Sequence, residues 1–117
     1  MERLNRAFFE RPTLTVAADL IGKSLFFKGR EAIITETEGF PAAVLIRGVR
    51  IRDIPDKKLN GPGKLCRFLG ITREHNKIDL TQAEDFFVAD SGLRLSFRTT
   101  PRIGISAGAD KPWRFVV

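Results

Sequence analysis

Apolar and polar positions along this 117-residue chain change period several times, as is typical of short helices alternating with strands. Apolar residues recur at helical spacing near the start. They predict one helix over residues 2–9 and a second over Val16–Ile21, which ends at Gly22. The period then falls to two. The segments "KSLFFK" and "EAIITETE", separated by Gly29, predict an antiparallel hairpin, and "AAVLIRGVRIR" predicts the next strand.

The central segment "NGPGKLCRFLGI" returns to helical spacing. Asn60 is a candidate N-cap, Pro62 suits the first turn, and Gly70 suits a left-handed C-cap. Leu65, Phe68 and Leu69 would share the apolar face of this helix.

The C-terminal third favours strands. "TQAE" at Thr81–Glu84 has the pattern of a capping box and predicts a short turn, with a strand from Phe86 onward. Apolar and polar residues alternate over residues 93–98, and "RIGIS" and "WRFVV" are further strand candidates. The interpretation of the fold is therefore a mixed α/β (α+β) single domain over residues 1–117, mainly an antiparallel curved sheet with short flanking helices.

Cysteine and histidine are scarce. One Cys and one His exclude an intramolecular disulfide and a Cys/His zinc cluster, so we expect no metal and no cofactor. The first twelve residues carry charges throughout and no apolar run approaches the ~18 residues of a membrane span. We therefore expect a cytoplasmic protein, associated with the nucleoid in a bacterium, with no membrane partner.

Net charge gives the first indication of a partner. Twenty Lys and Arg against fourteen Asp and Glu give +6 and a pI near 10.1. A polyanion such as nucleic acid fits this excess, although many basic domains gain only solubility from it.

Two carboxylates stand out within an apolar strand. Strand alternation places Ile34, Glu36 and Glu38 on one face, and Arg47 and Arg50 of the next strand are candidate cations beside them. A partly buried carboxylate beside cations can act as a general base. A salt-bridged strand edge would produce the same pattern.

The glycine-rich "NGPGK" carries Lys64. It lacks the earlier Gly and the following Ser or Thr of a nucleotide-hydrolysing phosphate loop, which excludes that function. Backbone N–H groups near Gly61 and Gly63, together with Lys64, suit a DNA phosphate, and a plain helix start with a solvated Lys is the alternative. Three other residues receive structural interpretations. They are Cys66 (core), His75 (loop) and Trp113 (core).

Five ordered motifs resemble one known family. "TETEGF", "PAAVLIRG", "NGPGKLCRFLGI", "TPRIGIS" and "KPWRF" are similar, in this order, to segments of the alkyladenine (3-methyladenine, or methylpurine) DNA glycosylases. The resemblance extends from about Leu4 to Val117. It implies the fold of these enzymes and removal of alkylated or deaminated purines in base excision repair, with damaged DNA, duplex or single-stranded, as partner.

The resemblance also implies roles for individual residues. Glu38 matches the catalytic base that activates water without a metal, and Arg47 matches the arginine that helps to hold the water and the target phosphate. Phe40 stands where the family has a Tyr that stacks on the flipped base. Stacking needs only the ring face, so Phe40 keeps that role. DNA contacts are expected from Arg47, Arg50, Lys64, Gly61 and Gly63, and the protein is expected to be a monomer.

One departure from the family lies directly after Phe40. The family carries a long segment there, with residues of the base pocket and a hairpin whose tip wedges into DNA, whereas Phe40 runs directly into Pro41. Two hypotheses therefore remain. One is a reduced glycosylase, and the other is a non-catalytic nucleic-acid-binding protein that retains the scaffold.

Overall fold

The computed structural model describes residues 1–40, 43–103 and 111–117. Its helices and strands are β1 (Glu2–Arg3), α1 (Arg6–Phe9), α2 (Thr13–Leu20), β2 (Ser24–Phe27), β3 (Arg30–Phe40), β4 (Ala43–Arg50), α3 (Pro62–Leu69), β5 (Phe86–Asp90), β6 (Arg98–Thr100) and β7 (Arg114–Val116). Single turns of 3-10 helix lie at Asp56–Lys58 and Arg73–His75.

The seven strands of the described residues belong to one antiparallel sheet. The order is β1-β5-β2-β3-β7-β6, and β4 also pairs with β3. β3 is the longest strand and organises the sheet, because its first half pairs with β2 and its second half with β7, while β4 follows it along most of its length. The predicted fold class, an α+β domain built on an antiparallel sheet, is confirmed.

The predicted hairpin between β2 and β3 closes through two residues. Lys28 and Gly29 both have positive φ, 51° and 83°, and Phe27 faces Arg30 across the turn. Such a turn matches the right-handed twist of the flanking strands. This places the start of β3, and hence its glutamates, at a fixed register.

Helix α2 packs on β3 and β4 and forms the core with them. Val16, Ala17 and Leu20 face Ile34 and other buried side chains of the sheet. The Thr37 hydroxyl donates a hydrogen bond of 2.8 Å to the Ala17 carbonyl. The Thr37 side of β3 is therefore anchored to the helix.

Helix α3 has the predicted extent and C-cap, with Gly70 in the left-handed conformation at φ 84°. Its N-cap is Gly61 rather than the predicted Asn60. The Asn60 side-chain oxygen instead accepts a hydrogen bond from the Lys64 ammonium, and the Asn60 backbone forms an isolated β-bridge with Gly48 of β4.

Two segments, residues 2–9 and 93–97, differ from their predictions. Residues 2–9 contain strand β1 and only a four-residue helix, because the Asn5 side chain accepts the Phe8 N–H and starts the helix there. Residues 93–97 are not a strand, although Leu95 packs on the core and the Phe97 ring meets Phe115 edge-on. Leu93 and Phe97 are exposed, so alternation over this segment indicates neither a covered face nor backbone pairing.

The strand predicted from "RIGIS" is not formed at Arg102 or Ile103, and residues 104–106 of that prediction lie outside the described residues. "WRFVV" forms β7 as predicted.

Candidate active site

The two glutamates lie where β3 passes between β4 and β7. Register shifts on both sides of Glu36 interrupt its pairing with β4. Beyond them Thr37 faces helix α2, whereas Glu36 and Glu38 project together from the opposite face, both within reach of Arg47. The predicted juxtaposition of the two acids with Arg47 is therefore observed.

Glu36 is held tightly by two guanidinium groups. Its Oε2 accepts hydrogen bonds from Arg114 Nε at 2.6 Å and Arg47 Nε at 3.1 Å. Arg114 is itself fixed by a 2.9 Å hydrogen bond from Nη1 to the Thr100 hydroxyl on β6. This arrangement ties β3, β4, β6 and β7 together, which is a structural task.

Glu38 is buried more deeply and held more loosely. Its side chain is 3% exposed, as is that of Arg102. Arg102 Nε lies 3.4 Å from Oε1, the Ile103 N–H lies 3.4 Å from Oε2, and Arg47 Nε lies 3.6 Å from Oε2. All three distances exceed the usual 2.7–2.9 Å of charge-assisted hydrogen bonds. Within residues 1–40, 43–103 and 111–117, Glu38 therefore receives only long contacts.

The cluster concentrates charge. Among the described residues, three guanidinium groups, from Arg47, Arg102 and Arg114, contact two carboxylates. Buried ion pairs gain attraction at the expense of desolvation, so such a concentration of charge adds little stability by itself. A cluster of this kind on one face of a strand is therefore a candidate for chemistry.

Phe40 ends β3 two residues beyond Glu38, and it is 50% exposed. The Arg102 guanidinium lies 4.6 Å from the centre of the Phe40 ring and 5.7 Å from that of Trp113. An apolar cavity of about 220 Å³ adjoins the two rings. Its lining consists of Pro12, Thr13, Leu14, Phe40 and Trp113. An accessible aromatic surface thus lies beside the buried carboxylate.

The remaining predicted site residues lie away from the glutamates. Arg50 pairs with exposed Asp56 at 3.3 Å and faces Ile33 at the far end of the ladder, so its prediction as a cation for the glutamates is wrong. The register shift makes Arg47 an extra residue of β4, which directs it alone toward the acids.

The start of α3 presents the other predicted DNA contacts. Lys64 Nζ donates to the Lys57 carbonyl at 3.1 Å and to the Asn60 side chain at 3.2 Å. Gly61 has a φ of 153°, and a side chain at Gly63 would meet no atom within 4 Å. The phosphate-binding role of Lys64, Gly61, Gly63 and Arg50 stays a prediction.

Arg102 and Arg114 were not identified from the sequence as partners of the acids. They lie 64 and 78 residues from the glutamates that they contact, and only pairing of β7 with β3 brings them there. The motifs "TPRIGIS" and "KPWRF" that contain them were the available signal.

Three further residues have local roles. His75 Nδ1 accepts the Thr72 N–H and caps a 3-10 turn, while its ring packs edge-on against Phe27. Cys66 is half-buried, and this burial raises the pKa of its thiol. Trp113 is partly exposed rather than core.

Among residues 1–40, 43–103 and 111–117, no three His, Cys, Asp or Glu side chains group closely enough to hold a metal ion. The same residues contain no helix that is long and apolar enough to cross a membrane.

Known proteins resemble this chain over nearly its whole length. A protein of Rickettsia rickettsii (strain Sheila Smith), named "Putative 3-methyladenine DNA glycosylase", is 41% identical, over 97% of this chain and 89% of its own length. A protein of the same name from Wolbachia sp. subsp. Brugia malayi (strain TRS) is 39% identical, over 99% and 98%.

The aligned region also indicates what this chain lacks. The match to the Rickettsia protein spans 163 positions, whereas the chain has 117 residues, so the relative carries additional residues within that span. The family model described as Methylpurine-DNA glycosylase (MPG) matches residues 31–117, which include every member of the charged cluster. The chain belongs to the methylpurine-DNA glycosylase family.

Proposed function

We propose that the protein is a DNA glycosylase of base excision repair, which hydrolyses the N-glycosidic bond of alkylated or deaminated purines through a water activated by Glu38. The observation that carries this proposal is the contrast between the two glutamates. Glu36 Oε2 accepts two contacts, of 2.6 and 3.1 Å, whereas among the described residues Glu38 has no contact shorter than 3.4 Å. The names of its relatives support DNA glycosylase activity.

The reaction follows from the chemistry of this face. A water oxygen attacks the sugar C1′ and transfers a proton to the Glu38 carboxylate, while the C1′–N bond breaks and its electron pair leaves with the base. Arg47, which contacts both glutamates, holds Glu38 in place and offers its remaining N–H groups to the water or to a phosphate oxygen. The exposed Phe40 ring stacks on the flipped purine.

A second candidate is a non-catalytic nucleic-acid-binding protein on the same scaffold. Two observations favour it. Glu38 is only 3% exposed, and the relatives carry residues within the aligned region that this chain lacks. A substrate would have to displace the side chains that bury Glu38 before its water could react. Binding of DNA without catalysis would not require this displacement.

Base release from lesion-bearing oligonucleotides distinguishes the two candidates. Wild-type protein is incubated with DNA containing hypoxanthine, ethenoadenine or 3-methyladenine, followed by alkaline cleavage of abasic sites. We expect cleavage with wild-type protein and none with Glu38→Gln, which should bind DNA equally or slightly more tightly because a negative charge is lost. Glu36→Gln is the matched control: it removes the same charge from the same strand face but leaves Glu38 in place, so it should retain base release, at a lower rate because Arg47 loses its nearest partner.

Base release by Glu38→Gln at the wild-type rate would refute the assignment of the base. DNA binding without release by any variant would favour the binding protein.

A further inference from the structure

Helix α3 borders an open groove that no step of the proposed reaction uses. The groove has a volume of about 390 Å³, and its lining consists of Lys57, Lys58, Lys64, Arg67 and Phe68. A fifth cation, Arg30, lies over the Phe68 ring, with its guanidinium carbon 5.1 Å from the ring centre. All five cations are exposed to solvent. The groove is therefore a positively charged surface with an aromatic ring at one side.

Neighbouring acids do not neutralise this charge. Among residues 1–40, 43–103 and 111–117, no carboxylate oxygen lies within 4 Å of a side-chain nitrogen of any of the five cations. Lys64 donates instead to two uncharged oxygens, those of the Lys57 carbonyl and the Asn60 side chain. The rest of the chain contains one acid, Asp110, and one carboxylate cannot neutralise five cations. The groove therefore attracts an anion from outside the chain.

The groove and the two glutamates lie on opposite faces of the sheet. Leu65 of α3 is buried in the same core as helix α2, which packs on the face that Thr37 occupies. Glu38 projects from the other face. Along β3, Arg30 and Glu38 are also eight residues apart, which is roughly 25 Å at about 3.3 Å per residue. A straight DNA segment with its lesion at Glu38 therefore does not reach the groove.

Nucleic acid is the polyanion that fits this surface best. Duplex DNA carries one negative charge per about 1.7 Å of its axis, and Lys and Arg side chains that bind its phosphates release condensed counterions. An extended acidic peptide carries at most one charge per about 3.4 Å, so it gains less from the same cations. The Phe68 ring adds an apolar wall against which a sugar or a base can pack.

We propose that the groove beside α3 binds the phosphate backbone of a second DNA segment while a first segment occupies the face with Glu36 and Glu38. Only the placement of the first segment rests on the proposed function, because the groove itself takes no part in catalysis. A protein that holds two segments at once can pass from one to the other without first being free in solution.

Dissociation in the presence of competitor DNA tests the second site. Protein bound to a short, fluorescently labelled, undamaged duplex is mixed with increasing concentrations of the same unlabelled duplex, and stopped-flow anisotropy follows release of the label. With one site the dissociation rate constant does not depend on competitor concentration, because the competitor binds only after release. With two sites a ternary complex forms, and we expect the rate constant to rise about tenfold over the competitor range at low salt.

A pair of double variants assigns the effect to the groove. Lys58→Gln with Arg67→Gln removes two of its cations and should lower the competitor-dependent part of the rate constant about tenfold. Arg6→Gln with Arg94→Gln is the matched control, because it causes the same change in net charge at two exposed arginines that are already in ion pairs. It should keep the competitor dependence. A dissociation rate constant does not depend on the folded fraction, so a purely structural effect would not change it.

Four results would overturn the second site and leave the glycosylase proposal intact. They are a wild-type rate constant that is independent of competitor, full competitor dependence in the groove variant, an equal loss of dependence in both double variants, and acceleration by polyglutamate as strong as that by DNA at equal charge. Absence of any DNA binding by wild-type protein at low salt would refute the proposed function as well.

Discussion

Glu36 and Glu38 are neighbours on one face of one strand, yet their surroundings assign them different tasks. Glu36 joins Arg47 of β4 to Arg114 of β7 through short hydrogen bonds. Glu38 meets Arg102 and the Ile103 N–H at 3.4 Å, which leaves it able to accept a hydrogen bond from a further group. A carboxylate with only long contacts is a better candidate for water activation than one held by an ion pair of 2.6 Å.

Removal of the Glu36 charge should cost stability. Glu36→Gln leaves Arg47 and Arg114 short of a partner in a poorly solvated position, and we expect a loss of about 3 kcal/mol in the free energy of unfolding. Urea denaturation followed by circular dichroism measures it. Asp56→Asn breaks the exposed pair with Arg50 and is the control, with an expected change of under about 1 kcal/mol. Equal losses in both variants would contradict the structural role of Glu36.

Asp90 should make the stability of the protein sensitive to acid. The Arg94 guanidinium, followed by the Gly92 N–H, lowers the pKa of Asp90 to about 2. A folded-state pKa below the unfolded one contributes stability that is complete above about pH 4 and is lost as pH falls toward 2.

Thermal melts of wild-type protein and Asp90→Asn between pH 2 and pH 5 test this contribution. The difference between their melting temperatures should shrink as the pH falls through that range. The shift will be small because Arg94 is largely exposed, and a difference that is constant with pH would contradict it.

At the scale of elements, the sequence correctly predicted those helices and turns whose formation depends on neighbouring residues. The hairpin around Gly29 and helix α3 with its Gly70 C-cap followed from turn chemistry and apolar period. The segment 93–97 alternates as strands do but forms none. Its backbone pairing depends on a free neighbouring edge, which one segment of sequence cannot reveal.

The candidate site shows the same limit. Strand alternation correctly predicted that Glu36 and Glu38 lie together, but it could not distinguish Arg47 from Arg50 as the partner of these glutamates. A register shift, which involves one extra residue on each strand, decided between them. Arg102 and Arg114 required knowledge that β7 pairs with β3, a contact between segments about 78 residues apart.

Gly48 makes the register shift possible and provides an element-scale prediction. A Cβ at this position would lie 3.1 Å from the Glu36 Cβ and 3.4 Å from the Thr35 hydroxyl. Gly48→Ala should therefore cost about 1–3 kcal/mol and displace Glu36. Gly63→Ala is the control, because its Cβ would meet open space in the first turn of α3 and should stabilise slightly. Chemical denaturation of both variants measures the difference, and a Gly48→Ala protein as stable as wild type would contradict this close packing.

For the whole molecule, the location of the positive charge matters more than its total. Part of the net +6 is the guanidinium cluster around the two glutamates, whereas other cations face solvent. One group of these lines an open groove of about 390 Å³ beside Phe68. Its members are Lys57, Lys58, Lys64 and Arg67. Cations at an open surface are the ones that can replace the counterions of a DNA phosphate.

DNA affinity should therefore fall steeply as the salt concentration rises. Surface residues should account for part of this salt dependence. Each neutralised phosphate contributes about −0.9 to the slope of log affinity against log salt concentration. Replacement of Arg50 and Lys64 together by Gln should make the slope less negative by about 2, measured by fluorescence anisotropy of a labelled duplex. Glu2→Gln, at the exposed opposite edge of the sheet, is the control. A salt-independent affinity would contradict both candidate functions.

The relatives carry residues within the aligned region that this chain lacks. Flipping a nucleotide out of a duplex costs a few kcal/mol of unstacking and unpairing, and a wedge residue normally fills the vacated space. In this chain β3 ends at Phe40 and β4 begins at Ala43, which leaves two residues between them at the place where the motif resemblance predicts the additional segment of the family. Each 1.4 kcal/mol of lost stabilisation lowers the flipped population about tenfold, so a missing wedge should slow release from a well-paired site about a hundredfold.

The deficit should shrink where the lesion is already unpaired. We expect single-turnover release of hypoxanthine to be fastest from mismatched, bulged or single-stranded DNA and slowest from a stable duplex. Phe40→Ala should lower the rate further in every context, because it removes the exposed stacking surface, while Phe40→Tyr, which keeps the ring, should not. Equal wild-type rates on stable duplex and single strand would mean that another part of the chain acts as a wedge. The exposed Leu45, directly opposite Glu38 on β4, would then be the first residue to replace by Ala, because an apolar side chain there faces the same side of the sheet as the proposed catalytic carboxylate.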